Sequence, residues 1–303
     1  MKGMIMSSTR RTFLKTAALG SAALAFPFGN NLPKVLGEES QRAYKVGICD
    51  WNVNGYAANP ECFAVAKALG FQGVQVSYAL GGQYALSKKE NRPLFREAAE
   101  KAEMQFASLA MGLLNDRAFV KEADAEEWVS DCLDAMESLG SEQRPCDQVL
   151  LAFFGNGDLK GKPDDHKVVI EKLKRLAPKA EKLKKVLAIE TYLSAEDHVK
   201  IIDAVGSDAV KIYYDIQNAL NMGYNIFEEM PWLGKKKLIT QVHLKDDNKR
   251  LENSAIDLKR VRKTLDEIEY CDWLVVESAV EGDWKESQTA NATFVRKLFD
   301  IQA

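Results

Sequence analysis

Eight times between Tyr44 and the C-terminus, a short run of β-prone residues is followed by a stretch with helical period. The runs are Lys45–Trp51, Gly73–Tyr78, Gln105–Met111, Gln148–Phe154, Val186–Thr191, Val210–Asp215, Leu238–Asp246 and Trp273–Ser278. Most are apolar on both faces and rich in Val, Ile and Leu, as strands of a parallel sheet must be when helices cover them. The helical stretches carry apolar residues at the 3.6 period, such as Val169, Leu173, Leu176, Ala180 and Leu183 behind Pro163. Their ends carry capping residues: Asn59 with Pro60 at the first helical position, Asp124 in an Asp-Ala-Glu-Glu box, Ser194, Asp257, and Gly70 just past the first helix. Eight consecutive βα units predict an α/β chain folded as a single (β/α)8 TIM barrel over residues 44–303. A length of 303 residues is long for one ordinary domain and right for one such barrel. A doubly wound open sheet would want Gly-x-Gly-x-x-Gly after its first strand; here that strand ends Cys49-Asp50-Trp51-Asn52.

The residues before the barrel have a different character. Ser8-Thr9-Arg10-Arg11-Thr12-Phe13-Leu14-Lys15 precedes a mild apolar run, Ala17–Phe26. This predicts a twin-arginine signal segment over residues 1–30, followed by a polar linker over 31–43. The run is too short for a comfortable membrane span. The expected partner is the twin-arginine export machinery, which leaves the protein periplasmic or anchored facing the periplasm. A net charge of −3 gives no general pull on nucleic acid or anionic membrane. The five cysteines are scattered, with no Cys-x-x-Cys pair, so neither a zinc ribbon nor a redox motif is supported.

In barrels of this kind the active site lies at the C-terminal ends of the strands. The fifth predicted strand ends in Glu190, the sixth in Asp215 and the eighth in Glu277, and the seventh carries His243 near its end. Of three histidines, His243 alone lies on a predicted strand. Taken singly, His243 reads as a hydrogen-bonded structural histidine, and each acid as a helix N-cap or a salt-bridge partner. Four ligand-type residues at equivalent depth on adjacent strands read differently. Three carboxylates converging in a partly apolar rim repel strongly unless a cation lies between them. Oxygen-rich ligation with one imidazole suits Mn²⁺, Mg²⁺ or Co²⁺, and Zn²⁺ also fits.

The stretches Ala68–Val76, Leu187–Thr191, Tyr213–Ala219, His243–Asp246 and Leu274–Ser278 resemble the xylose isomerase-like TIM barrel superfamily. The resemblance is to its sugar phosphate isomerase/epimerase branch, which includes the ketose 3-epimerases, and it covers Tyr44 to the end. It implies that Glu190, Asp215, His243 and Glu277 are the metal ligands and that Glu190 and Glu277 double as acid and base. The set is specific to the superfamily and much less so to a substrate. Two departures stand out. The epimerases usually place a second histidine three residues after the aspartate; here that residue is Asn218, which can hydrogen-bond a hydroxyl but cannot titrate. The loop at residues 247–254 lacks the glycines common in relatives. Xylose isomerase itself is disfavoured because no histidine falls on the first four strands, and the endonuclease IV branch because its zinc site is histidine-rich.

A metal beside two carboxylates suits proton abstraction next to a carbonyl, with Lewis-acid stabilisation of an enediolate. Return of the proton from the other face is epimerisation, and return to the neighbouring carbon is aldose–ketose isomerisation. Loss of a β-substituent makes a lyase or dehydratase acting on a keto-sugar or keto-glycoside. The residues do not choose among these endings, and a non-catalytic sugar-binding barrel is a further alternative. Lys245 is expected to steady the enediolate or bind hydroxyls, as are Lys249 and Arg250 more weakly. Trp51 is expected to stack on the sugar, and Asn218 to bind it. No glycine-rich phosphate cradle follows the seventh strand, which with export favours an unphosphorylated sugar. Assembly into a homo-oligomer is left open.

Overall fold

The eight β-prone runs become eight parallel strands that close on themselves in chain order. In the computed structural model the strands are β1 (Lys45–Cys49), β2 (Gly73–Ser77), β3 (Gln105–Met111), β4 (Gln148–Phe153), β5 (Val186–Thr191), β6 (Val210–Asp215), β7 (Ile239–Leu244) and β8 (Trp273–Val276). The helices are α1 (Cys62–Ala68), α2 (Arg92–Lys101), α3 (Ala125–Leu139), α4 (Pro163–Leu183), α5 (Ala195–Val205), α6 (Ile216–Asn221), α7 (Ile226–Lys235), α8 (Leu258–Glu267) and α9 (Trp284–Leu298). The structure describes residues 44–246, 249–278 and 282–302. The signal segment and linker expected over residues 1–43 lie outside the described residues.

Most expected element ends agree within two residues. The first strand stops at Cys49, and Asp50–Asn52 form a short 3-10 turn, so Trp51 sits on that turn. Three caps form as read. Ser194 accepts from the Asp197 N–H at 3.2 Å, Asp257 from the Arg260 N–H at 3.0 Å, and Gly70 sits at φ +94° after α1. Two do not. Asn59 makes a turn of its own, accepting from the Glu61 N–H at 2.9 Å, and α1 begins only at Cys62. Asp124 makes no side-chain capping bond, because its backbone (φ −87°, ψ 0°) is outside the extended region an N-cap uses.

Two apolar layers hold the barrel. One lies between strands and helices and includes Val46, Ile48, Val74, Leu109, Leu151, Ile189 and Ile212. The other fills the barrel interior, where Trp273 and Tyr213 are the large residues and Ala107, Ala110, Ala152 and Ala188 the small ones. Trp273 needs that room. A Cβ at Gly73 would collide with its indole ring, so β2 can pass there only as glycine. Toward the other end Ala110 and Ala152 leave space above the packed interior, and both line a cavity there.

Register sets what faces that space. Glu190 lies opposite Ala152 across β4–β5, and Asp215 opposite His243 across β6–β7. His243 pairs with Val275, so Glu277 lies two residues further along and returns to the same face.

Candidate metal centre and active-site pocket

Side chains of Glu190, Asp215, His243 and Glu277 converge, with one ligand-type atom of each within 4.8 Å of all the others. His243 Nδ1 is the shared neighbour, 3.0 Å from Glu190 Oε1, 3.3 Å from Glu277 Oε2 and 3.8 Å from Asp215 Oδ2. All four sequence-predicted ligands therefore meet at one place.

The far side of the imidazole fixes its orientation. Gln75, inside β2, donates from Nε2 to Ser108 Oγ at 2.8 Å. Its Oε1 then faces His243 Nε2 at 2.9 Å and the Cys49 thiol at 3.2 Å. An amide oxygen only accepts, so Nε2 carries the proton and Nδ1 turns to the carboxylates. The His243 ring also packs on Tyr213, with centroids 4.3 Å apart.

Asp215 shows what the cluster lacks. Its Oδ1 caps α6, accepting from the N–H groups of Gln217 and Asn218, both at 2.8 Å. Its Oδ2 is buried and receives no hydrogen bond. Lys245 is the nearest cation to it, Nζ being 3.6 Å away and 3.3 Å from Glu277 Oε2. With the ligand groups deprotonated, as a bound cation requires, three carboxylates and a neutral imidazole would face one ammonium and leave two negative charges in excess. At an effective dielectric of about 20, two like charges 4 Å apart repel by about 4 kcal/mol. A divalent cation would cancel the excess and give Asp215 Oδ2 a partner, so the donor set fits such an ion.

The titration behaviour follows from this crowding. Burial pushes Asp215 up to about 7, with Glu277 and Glu190 adding to it. Burial likewise raises Glu190. Burial acts the same way on Glu277, but His243, Lys245 and the Trp51 hydrogen bond outweigh it and hold that carboxyl below its ordinary value. Burial would depress His243, yet Glu190, Glu277 and Asp215 together raise it.

Glu190 and Glu277 of the cluster line one side of a cavity of about 620 Å³. Trp51, Asn218 and Lys245, the expected substrate-binding residues, all line it. Trp51 is 38% exposed and donates from its indole N–H to Glu277 Oε1 at 3.3 Å. Asn218 is buried on the first turn of α6. Lys249 and Arg250 point elsewhere: Lys249 pairs with Asp246 at 3.8 Å, and Arg250 with Glu286 at 2.9 Å. Sequence reasoning passed over Cys49, Gln75 and Ser108 behind the histidine, and Phe154 and Tyr192 at the cavity, whose rings lie 4.6 Å apart. A visible signal existed for two of them. Gln75 and Ser108 are polar residues within buried strands, an arrangement that demands partners.

A comparison with protein families matches the xylose isomerase-like TIM barrel over residues 63–298. No curated protein matches the chain. Among solved structures, 3-keto-D-glucoside 4-epimerase from E. coli is similar at 15% identity with TM-score 0.68, covering 84% of this chain and 98% of that one. D-psicose 3-epimerase from Clostridium cellulolyticum H10, with D-tagatose, gives 14% identity and TM-score 0.70, covering 84% and 99%. L-ribulose 3-epimerase gives 16% identity and TM-score 0.66, covering 85% and 95%. At such identities the structural likeness speaks for the fold, and the family match spans most of the chain. The chain belongs to the xylose isomerase-like TIM barrel family.

Proposed function

We propose that this barrel is a metal-dependent sugar isomerase or epimerase that transfers a proton next to a carbonyl of an unphosphorylated sugar. The observation that carries this is the meeting of Glu190, Asp215, His243 and Glu277 around a buried, unsatisfied Asp215 oxygen at a cavity of sugar-binding size. The similar structures named above as epimerases of sugars support the same reading.

In this proposal Glu190, Asp215, His243 and Glu277 hold a divalent metal, which supplies Lewis acidity toward a carbonyl and its neighbouring hydroxyl. Asp215 is the fixed member, since capping α6 immobilises its other oxygen. His243 is the neutral donor, held by Gln75. Glu190 and Glu277 are separated by two strands around the rim, and each carries an oxygen at which a proton can be held. One takes the α-proton and the other returns one. Lys245 brings a positive charge to the same side and steadies negative charge on substrate oxygen. Asn218 binds a hydroxyl without exchanging a proton, and Trp51 offers a face for stacking beside Glu277. Export through the twin-arginine segment of residues 1–30 would place this chemistry outside the cytoplasm, on sugars that carry no phosphate.

The test is metal analysis of the purified chain, followed by incubation with free ketoses and keto-glycosides in D₂O. Stoichiometric metal and deuterium at one carbon adjacent to the carbonyl are expected, with product mass otherwise unchanged. Loss of water or of an aglycone would move the reaction to elimination. Metal-loaded protein that exchanges no deuterium into any of these sugars would overturn the proposal.

A further inference from the structure

The arc of the cavity across from β7 and β8 is built by the ends of β2, β3 and β4, with Tyr192 after β5. Much of that wall is hydrocarbon, from Leu80, Leu113, Ala110, Leu150 and Ala152. The hydroxyl protons of Ser77 and Tyr78 are committed to Asp50 and Asp131, each at 2.6 Å. Two other polar groups are not committed. Asn115 Oδ1 accepts from the Phe154 N–H at 3.0 Å. That N–H can face only the oxygen, so the amide plane is fixed and Nδ2 is the end left over. Tyr192 stands two residues beyond Glu190 and returns to the same face, one step farther out. Its ring lies 4.6 Å from that of Phe154, and its backbone carbonyl accepts from the Tyr224 hydroxyl at 3.0 Å. Among the described residues, neither Asn115 Nδ2 nor the Tyr192 hydroxyl has a partner.

These two groups are answered only by what enters the cavity, water or a ligand. An amide nitrogen only donates and so requires an acceptor, whereas a phenol donates and accepts; a sugar hydroxyl satisfies either. Both groups are neutral and the wall around them is apolar, so they fit a hydroxyl and not a charged substituent. The reacting carbonyl belongs on the other side, beside Glu277 and Lys245, so the far end of the same molecule meets this arc. We propose that Asn115 and Tyr192 are specificity-determining residues that hydrogen-bond the sugar hydroxyls remote from the reacting carbonyl, with Phe154 holding both in place. This deepens the proton-transfer reading above and rests on it. The substrate is then a sugar hydroxylated along its tail. A sugar deoxygenated there is selected against, because it covers a donor and leaves it unpaired.

Calorimetric binding to the full-length protein loaded with Mn²⁺ tests the assignment apart from turnover. The probes are D-fructose, D-psicose, D-tagatose and D-sorbose, with the 5-deoxy and 6-deoxy forms of whichever binds tightest. The parent protein should bind the full ketose about 5- to 100-fold tighter than at least one deoxy form. Tyr192→Phe keeps the ring against Phe154, and Asn115→Leu removes the amide; each should lower that ratio, and the double variant should bring it to about one. Thermal melts check that each variant is folded. A change of ring form on deoxygenation acts equally on parent and variant, so the fall in the ratio is the readout. A merely structural part for either residue would weaken all the sugars alike and leave the ratio as it was. No preference for the full ketose in the parent, or a ratio that both variants preserve, overturns the assignment. The D₂O exchange reports on the chemistry separately. Exchange with a ratio untouched by the variants removes the hydroxyl reading alone, and a ratio that falls without exchange into any sugar removes the proton-transfer reading.

Discussion

Asp50 and Asp215 hold matching places on opposite arcs of one rim. Asp50 follows β1 and Asp215 ends β6, and each is buried. Asp50 is closed: Oδ2 accepts from the N–H groups of Ser77 and Ala58, both at 2.8 Å, and Oδ1 from the Ser77 hydroxyl at 2.6 Å. Asp215 is half open, with one oxygen capping a helix and the other without a donor. The two fully enclosed histidines divide in the same way. His198 on α5 has both ring nitrogens matched, Nδ1 to Ser194 O and Nε2 to the Thr191 hydroxyl, each at 3.0 Å. His243 is matched on one side and faces carboxylates on the other. A buried polar group whose partners all lie within the chain ties the structure together. One with a lone pair directed at like groups is a place for something else to bind.

The largest expected effect is on metal. His243→Ala should reduce bound metal from stoichiometric to none and abolish turnover, while circular dichroism reports an intact barrel. Asp50→Ala should keep the metal and instead lower stability by about 1–3 kcal/mol in urea unfolding, because Ser77 and Ala58 lose their acceptor. If Asp50→Ala strips the metal as completely as His243→Ala does, the division between the arcs is wrong.

Glu190→Gln and Glu277→Gln come next. Glutamine retains one ligand oxygen but carries no exchangeable carboxyl proton. Turnover should fall about 10²–10⁴-fold with metal still bound. Parental turnover in both variants would take proton transfer away from this arc. Gln75→Leu crosses between the arcs, since Gln75 lies on β2 and acts on a residue of β7. Metal affinity should weaken about 10–100-fold. In ¹⁵N spectra of the imidazole the parent should carry its proton on Nε2, and the variant should show mixed tautomers. An unchanged affinity and tautomer would reduce Gln75 to packing.

The barrel was legible because its signal is repeated: each of eight runs found its strand, and the strand-end acids then fell on one rim by geometry alone. What could not be read were directions. Asp50 and Asp215 look alike as letters at a strand end, and only the position of Ser77 and of the Ala58 N–H distinguishes them. Gln75 meets Cys49 by direct pairing of β1 with β2, and Ser108 because the β2–β3 register shifts between Val74 and Gln75, which no local pattern specifies. The apolar wall is assembled from loop residues such as Leu80 and Leu113, whose placement depends on connections without periodicity. The failed cap at Asp124 is of the same kind: the residue type was suitable, but the backbone entering α3 was not.

The smallest effect separates the two histidines by the sign of a pH dependence. Burial lowers the folded pKa of His198 to about 4, against an ordinary value of 6.5. Between those values the unfolded chain binds the proton and the folded chain does not. Stability from His198 is therefore fully present above pH 6.5 and is lost as pH falls toward 4. By pH 5.5 the loss should be about 1 kcal/mol. His243 in metal-free protein has the opposite sign. Its folded pKa is raised by Glu190, Glu277 and Asp215 against burial, so its contribution is present below 6.5 and lost as pH rises through the folded value. Urea unfolding of metal-free protein between pH 5.5 and 7.5 measures both. Replacing His198 with Gln should flatten a slope that rises with pH, and replacing His243 with Gln should remove one that falls. Slopes of the same sign at both positions would mean that the carboxylates around His243 are already neutralised without metal. The charge imbalance that makes that arc a site would then be absent.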